Sequence, residues 1–291
     1  MPSQGAAEST ISKPRESPVR TVYLGTSAFA AGVLERLAAT EHRPVLVVTR
    51  PDRPAGRGRT LTAPPVADEA RALGIDVFQP ASVNDDEARA RIAAAEPEVV
   101  IVCAFGALLK EPLLSDFRLL NVHPSLLPRW RGAAPVERAL MAGDTETGVS
   151  IMVVTAGLDS GPVCLAQAEP ILPGDTYGTL AARLMQLGAT LLIRVLDEDP
   201  PCVEQAEEGV TYAEKISAAD RTLDPDAPAR ERERVVRALH PHIGARLALE
   251  DGSYLGVARA RVGEDGQLEP LEVQPPGRRP MAWADYRRGR R

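Results

Sequence analysis

The chain has 291 residues, 44% of them hydrophobic, and a formal net charge of -6. Its length exceeds the commonest domain size and predicts two domains with buried cores, while its charge excludes a globally basic nucleic-acid binder, so any such partner must be read from local clusters. No uncharged apolar run approaches the roughly 18 residues of a membrane span, so no membrane role is expected and a cytoplasmic protein is.

The first 18 residues, MPSQGAAESTISKPRESP, are polar, Pro-punctuated and without an apolar h-region. They read as a disordered extension, not a secretory signal. From Val19 short apolar strands alternate with segments of helical character. VRTVYLG (19–25) is a strand, and Ala28 to Ala38 has helical spacing. PVLVVT (44–49) is a second strand, and PPVADEARALG opens on Pro and stops at Gly74 as a helix does. DVF (76–78), a helix from Asp85 to Ala95 and the buried-type strand EVVIVCA (98–104) continue the alternation. This is the signature of βαβ units: a Rossmann-like, mostly parallel sheet with helices on both faces.

LLNVH (119–123) is the next strand, running into the loop PSLLPRWRGAAP and a helix from about Ala134 to Met141. GVSIMVVT (148–155) and GPVCLAQAEP (161–170) flank the turn AGLDSG. Leu180, Leu184, Leu187, Leu191 and Val195 then recur on one face of a long helix. This domain spans residues 19–199. The acidic, Pro-rich, aperiodic stretch that follows sets a linker at 200–212. Beyond it, residues 213–291 carry a charged helix, Ala229 to Leu239, and short strands near 245–249, 254–261 and 268–274, a small β-rich module. Cys103, Cys164 and Cys202 are too far apart for CxxC spacing and odd in number, so reduced, partly buried thiols and no metal site are expected.

The chemistry concentrates in three residues. Asn121 and His123 stand two apart at the end of a strand, so their side chains point to one face. Asp159 sits in the tight turn GLDSG. An amide, an imidazole and a carboxylate suit acyl-type transfer: a donor for a developing oxyanion, a group that moves a proton, and a group that orients it. With no GxSxG elbow in the chain, direct transfer fits better than a covalent enzyme intermediate. Taken singly, a His after a strand is commonly structural, an Asp between glycines a turn former and an Asn a cap, and spacing alone leaves these readings open. The loop Arg50 to Arg59, RPDRPAGRGR, is equally readable as a solvated basic loop.

Together, N-x-H-x-SLLPRWRGAAP with the Asp of GLDSG, and YLGTSAFA, RPDRPAGRG, FQP, AFG and VTYAEKI, resemble the folate-dependent formyltransferase superfamily. The RPDRPAGRG loop and RWRGAAP point to its methionyl-tRNA formyltransferase branch. The resemblance covers residues 20 to about 240 nearly continuously, with a patchier match at EVQPPGRRPM. It implies that Asn121, His123 and Asp159 are catalytic, that Ser125, Leu126, Leu127 and Pro128 contact the folate, and that Arg53 and Arg57 contact tRNA. The donor would be 10-formyltetrahydrofolate and the acceptor the α-amino group of initiator methionyl-tRNA. Asn121 and a protonated His123 would stabilise the oxyanion while Asp159 holds His123, and Arg129 to Arg131 would begin the approach of the acceptor. The C-terminal module then reads as an OB-like tRNA-binding domain, shortened between its strands, followed by the basic tail RRGRR. A monomer is expected. Two other functions share these features: formyl transfer to an amino sugar linked to a nucleotide, and non-catalytic RNA binding.

Overall fold

The computed structural model describes residues 17–55 and 60–289. The first sixteen residues of the expected extension therefore lie outside the described residues, as does Arg57. In chain order the elements are β1 (Thr21–Gly25), α1 (Ala28–Ala38), β2 (Leu46–Val48), β3 (Arg53–Ala55), β4 (Thr60–Thr62), α2 (Pro65–Ala72), β5 (Asp76–Phe78) and α3 (Asp86–Ala93). Then come β6 (Val99–Cys103), α4 (Leu113–Asp116), β7 (Leu119–His123), β8 (Arg131–Gly132), α5 (Pro135–Ala142), β9 (Glu146–Val153), β10 (Val163–Pro170) and α6 (Tyr177–Glu198). The C-terminal part holds β11 (Tyr212–Ala213), α7 (Ala229–Leu239), β12 (Ala245–Ala248), β13 (Tyr254–Val262), β14 (Leu268–Gln274), β15 (Met281–Ala282) and α8 (Trp283–Arg288).

Seven strands form one sheet in the order β10-β9-β7-β6-β1-β2-β5. From β7 to β5 all neighbours are parallel, and β9 and β10 add an antiparallel edge. Because side chains alternate along a strand, each central strand feeds two cores. Tyr23, Ile101, Leu120 and Val122 join α1 and α6 on one face; Val22, Leu24, Val100, Val102 and Leu119 pack with Ile92 and Leu113 on the other. On β7 the second face begins with buried Leu119 and continues with Asn121 and His123, so the strand's last two positions on that face are polar.

α6 is capped by Thr176, whose hydroxyl accepts from the Thr179 amide in a capping box. By length and mean hydropathy it could cross a membrane, yet Leu180, Leu184, Leu191 and Val195 are buried in the core as the Leu stripe predicts. Gly188 makes this packing close: a Cβ there would stand 2.9 Å from Val122 of β7. The helix therefore backs the strand that carries Asn121 and His123.

The expected linker is aperiodic but not detached. Val203 pairs with Val163 of β10 in an antiparallel bridge, which sets Cys202 directly across from Cys164, and the two are joined in a disulfide. This corrects the expectation of three reduced thiols: spacing along the chain says nothing about a cross-strand neighbour made by a non-local pairing. Cys103 stays free and buried, and burial pushes its thiol up to about 12. The strap over residues 200–212 then ends in β11, parallel to β8.

The β-rich C-terminal module is a four-stranded antiparallel meander, β12-β13-β14-β15. Val236 and Leu239 of α7 cover it together with Leu255, Val257 and Val273. The start of the RRGRR tail belongs to α8, whose Trp283 and Tyr286 stack at 5.5 Å.

Ion pairs tie the two parts together. Arg138 of α5 grips Asp220 through both guanidinium branches, at 2.7 and 3.2 Å. Asp175, 6% exposed, accepts from Arg183, from Thr179 and from the Leu172 amide, while its own carbonyl accepts from Arg237 of α7. The hydrogen bonds from Arg183 hold the Asp175 carboxyl down at about 2, and those from Arg138 hold Asp220 well below the usual carboxylate range. A carboxyl depressed in the folded state contributes stability that is complete above its unfolded value of about 4 and lost as pH falls toward the folded value. The urea midpoint is therefore expected to fall steeply between pH ~4 and ~2, and Asp175→Asn to flatten that slope; an unchanged slope in the variant refutes the assignment.

Candidate active site

β7 delivers Asn121 and His123 to one face, and the loop 154–162 folds Asp159 against them. That loop leaves β9 at Val153, which lies opposite Leu120, one position before Asn121. Asp159 adopts the left-handed conformation, φ 43°, which turns its carboxylate inward. Its Oδ2 accepts the Gly132 amide at 2.8 Å. His123 Nδ1 stands 3.7 Å from the same oxygen, and Asn121 Nδ2 makes a long contact of 3.5 Å to Oδ1. The three predicted catalytic residues thus meet at one carboxylate, which the backbone holds firmly and the two strand side chains touch only loosely.

His123 is buried, 4% exposed, and its Nε2 lies 2.9 Å from the Trp130 carbonyl. A ring nitrogen bonds to a carbonyl only as a donor, so Nε2 carries a hydrogen and Nδ1 is bare in the neutral ring. The loop that supplies this carbonyl is shaped by Trp130 itself at φ 63° and by Gly132 at φ 123°, a conformation suited to glycine. A Cβ on Gly132 would also lie 2.8 Å from the Ala213 carbonyl.

The four residues of SLLP divide in role. Ser125 is fully buried, its hydroxyl donates to the Arg129 carbonyl at 2.6 Å, and its carbonyl accepts from Ser150 at 2.8 Å. It fastens the loop and has no donor left to offer. Leu126, Leu127 and Pro128 are half-buried apolar residues a few positions beyond the end of β7.

The Arg-Trp-Arg run is tied into the surrounding structure. Arg129 pairs in a fork with Asp144, at 2.9 and 2.7 Å, and lies over the Trp130 ring at 4.4 Å, while Trp130 Nε1 donates to the same carboxylate. Arg131 is 8% exposed and donates twice to Gln205 Oε1. Arg131 is thus held inside the protein, while Arg129 keeps a partly exposed side chain beside Asp144. Arg53, by contrast, is exposed on the β3–β4 hairpin. The base of that hairpin is fixed by Gln79, which donates to the Arg50 carbonyl and to Asp52.

Residues of the strap close the site from the far side. Thr211 accepts the Trp130 amide through its hydroxyl and the Arg131 amide through its carbonyl. Gln205 Nε2 donates to the carbonyls of Asp159 and Gly161, both at 2.8 Å. Sequence reasoning missed both residues because the stretch containing Gln205 is polar and without period. The VTYAEKI motif was the one local signal that this segment matters.

A family model described as "Formyl transferase" matches residues 19–196. The chain is similar to methionyl-tRNA formyltransferase of Dechloromonas aromatica, 47% identical over 231 residues that span 78% of this chain and 75% of that protein. It is also 42% identical to methionyl-tRNA formyltransferase of Halorhodospira halophila, over 94% of this chain and 96% of that one. Among solved structures, a methionyl-tRNA formyltransferase from Clostridium thermocellum superposes with TM-score 0.62 at 13% identity, covering 88% of this chain and 98% of that one. A sugar N-formyltransferase from Shewanella gives 0.64 at 19% identity, over 82% and 96%. At such identities these two likenesses concern the fold.

Proposed function

The chain belongs to the formyl transferase family, and from that footing we propose that it moves the formyl group of 10-formyltetrahydrofolate to the α-amino group of methionine esterified to initiator tRNA. The observation that carries this reading is the meeting of Asn121, His123 and the Asp159 carboxylate at one place. Two relatives named for this reaction, similar over most of the chain, support the choice of acceptor.

The folate would lie against Leu126, Leu127 and Pro128, with Ser125 as their internal support; this fits a flat ring system better than a ligand needing a hydroxyl partner at Ser125, since that hydroxyl is already engaged. In the reaction a C–N bond forms between the neutral amine and the formyl carbon, and the bond from that carbon to the donor nitrogen breaks. His123 Nδ1, bare and facing Asp159, takes the amine's proton and returns it to the leaving nitrogen, and the carboxylate stabilises the imidazolium between those events. Once protonated, Nδ1–H is itself a donor, so the oxyanion role that the resemblance gives His123 is compatible with Nε2 staying on the Trp130 carbonyl. Asn121 Nδ2, with a single long contact, is the donor free to turn toward the oxyanion.

RNA contact is read from exposed Arg53 on its hairpin, with Arg57 beside it in sequence; the C-terminal module would complete the RNA-binding surface. Arg53→Ala is expected to weaken tRNA binding and to lower the slope of log affinity against log salt by about one. A variant with the wild-type slope removes Arg53 from the interface.

The deciding experiment incubates the protein with 10-formyltetrahydrofolate and charged initiator tRNA, with a nucleotide-linked amino sugar in parallel. Formylated methionyl-tRNA supports the proposal. Product only with the amino sugar transfers the assignment to that acceptor, and binding of tRNA without product leaves an RNA-binding protein.

A further inference from the structure

We propose that Gln205 is a positioning residue for Asp159, which extends the catalytic assignment above and rests on it. Its amide has four hydrogen-bonding positions and all are filled: Oε1 accepts from Arg131 Nε and a terminal guanidinium nitrogen at 3.0 and 2.8 Å, and Nε2 donates to the Asp159 and Gly161 carbonyls. Only one orientation of the amide satisfies this set, since the flipped group would aim N–H at a guanidinium and oxygen at two carbonyls.

The two carbonyls flank the turn that holds Asp159 at φ 43°. Gln205 therefore grips the backbone of that turn from one side while the Gly132 amide grips the carboxylate from the other. The anchor is itself immobile: Arg131 is buried, its backbone is tied to Thr211, and the strap bearing Gln205 is joined to β10 through Val203 and Cys202. No other side chain makes a polar contact to the backbone of residues 157–161 among the described residues, so the left-handed turn depends on this amide for its outer hydrogen bonds.

Gln205→Glu isolates the function. A carboxylate keeps the size and the pairing with Arg131, so the buried guanidinium is not orphaned, but it replaces both donors to the turn by acceptors. The kcat for formyl transfer is expected to fall about 10²-fold, as for a displacement of about 1 Å at a reacting group, with KM for both substrates changed little. In an Asp159→Asn background the same substitution should cost little more, because both changes remove one contribution. A structural defect would instead add to the loss, and that outcome overturns the proposal. Amide hydrogen exchange supplies a readout that does not depend on activity: faster exchange confined to residues 154–162 and the strap supports the clamp, and unchanged or global exchange refutes it. Gln205→Asn, one methylene short of the carbonyls, is expected to show the same local exchange and serves if the Glu variant does not fold. Were wild-type protein to formylate no methionyl-tRNA, the functional proposal would fail while exchange still judged the clamp.

Discussion

Asn121→Ala is expected to lower formyl transfer by about 10²- to 10³-fold while the thermal midpoint and tRNA affinity stay near wild type. The magnitude is that of removing one preorganised donor from an oxyanion site. Preservation of the fold follows from what Asn121 touches. The 3.5 Å contact to Asp159 is too long to anchor the carboxylate, which keeps its firm bond from the Gly132 amide at 2.8 Å. Truncation therefore removes only a long contact to the partly exposed Oδ1, and the strand retains its backing from Val122 and α6. Single-turnover measurement with saturating donor separates the chemical step from binding. Turnover near wild type would remove Asn121 from the mechanism, whatever else the site does.

Much of this architecture is readable along the chain because it depends on local periodicity. DVF, LLNVH, the Ala28–Ala38 helix and the Leu stripe of α6 become elements close to their predicted bounds. Each is an apolar pattern of period two or near 3.6 whose buried side follows from its spacing. The alternation on β7 likewise sets Asn121 and His123 on one face before any contact is known. What escapes is everything made by segments far apart. The Cys164–Cys202 link, the use of Arg131 by Gln205 and the use of Arg129 by Asp144 each join a residue to a partner in another stretch. A guanidinium in a loop looks free in the sequence until its partner is placed. Ser125 shows the same limit in reverse: its motif predicts a folate contact, while its hydroxyl is consumed by a carbonyl four residues on. Residues 200–212 make the same point. Low periodicity reports the absence of a repeating apolar face, whereas residues 200–212 are held by single side-chain and backbone bonds that need no period.

Asp159→Asn should be at least as damaging as the loss of Asn121, on the order of 10²- to 10⁴-fold, the range for proton transfer in catalysis. The replacement is nearly isosteric and its amide oxygen can still accept from Gly132, so the turn and the Gln205 contacts to its backbone should survive. What changes is the group presented to His123. In the native protein a carboxylate faces the bare Nδ1 from 3.7 Å, a separation that tightens into a hydrogen-bonded ion pair once that nitrogen takes a proton. With the asparagine oxygen held by Gly132 in the Oδ2 position, Nδ1 faces a neutral amide oxygen instead of a carboxylate, and the NH2 takes the Oδ1 place beside Asn121. An imidazolium formed at Nδ1 then has no carboxylate to stabilise it, with Nε2 still on the Trp130 carbonyl, so proton uptake from the amine is disfavoured. The defect is thus a base deprived of its counter-charge, and it should appear in kcat with KM nearly unchanged. Adding His123→Asn to this variant should cost little further, since the base is already disabled. Two losses that multiplied instead would mean that His123 and Asp159 act independently, and the proton path through Nδ1 would have to be abandoned.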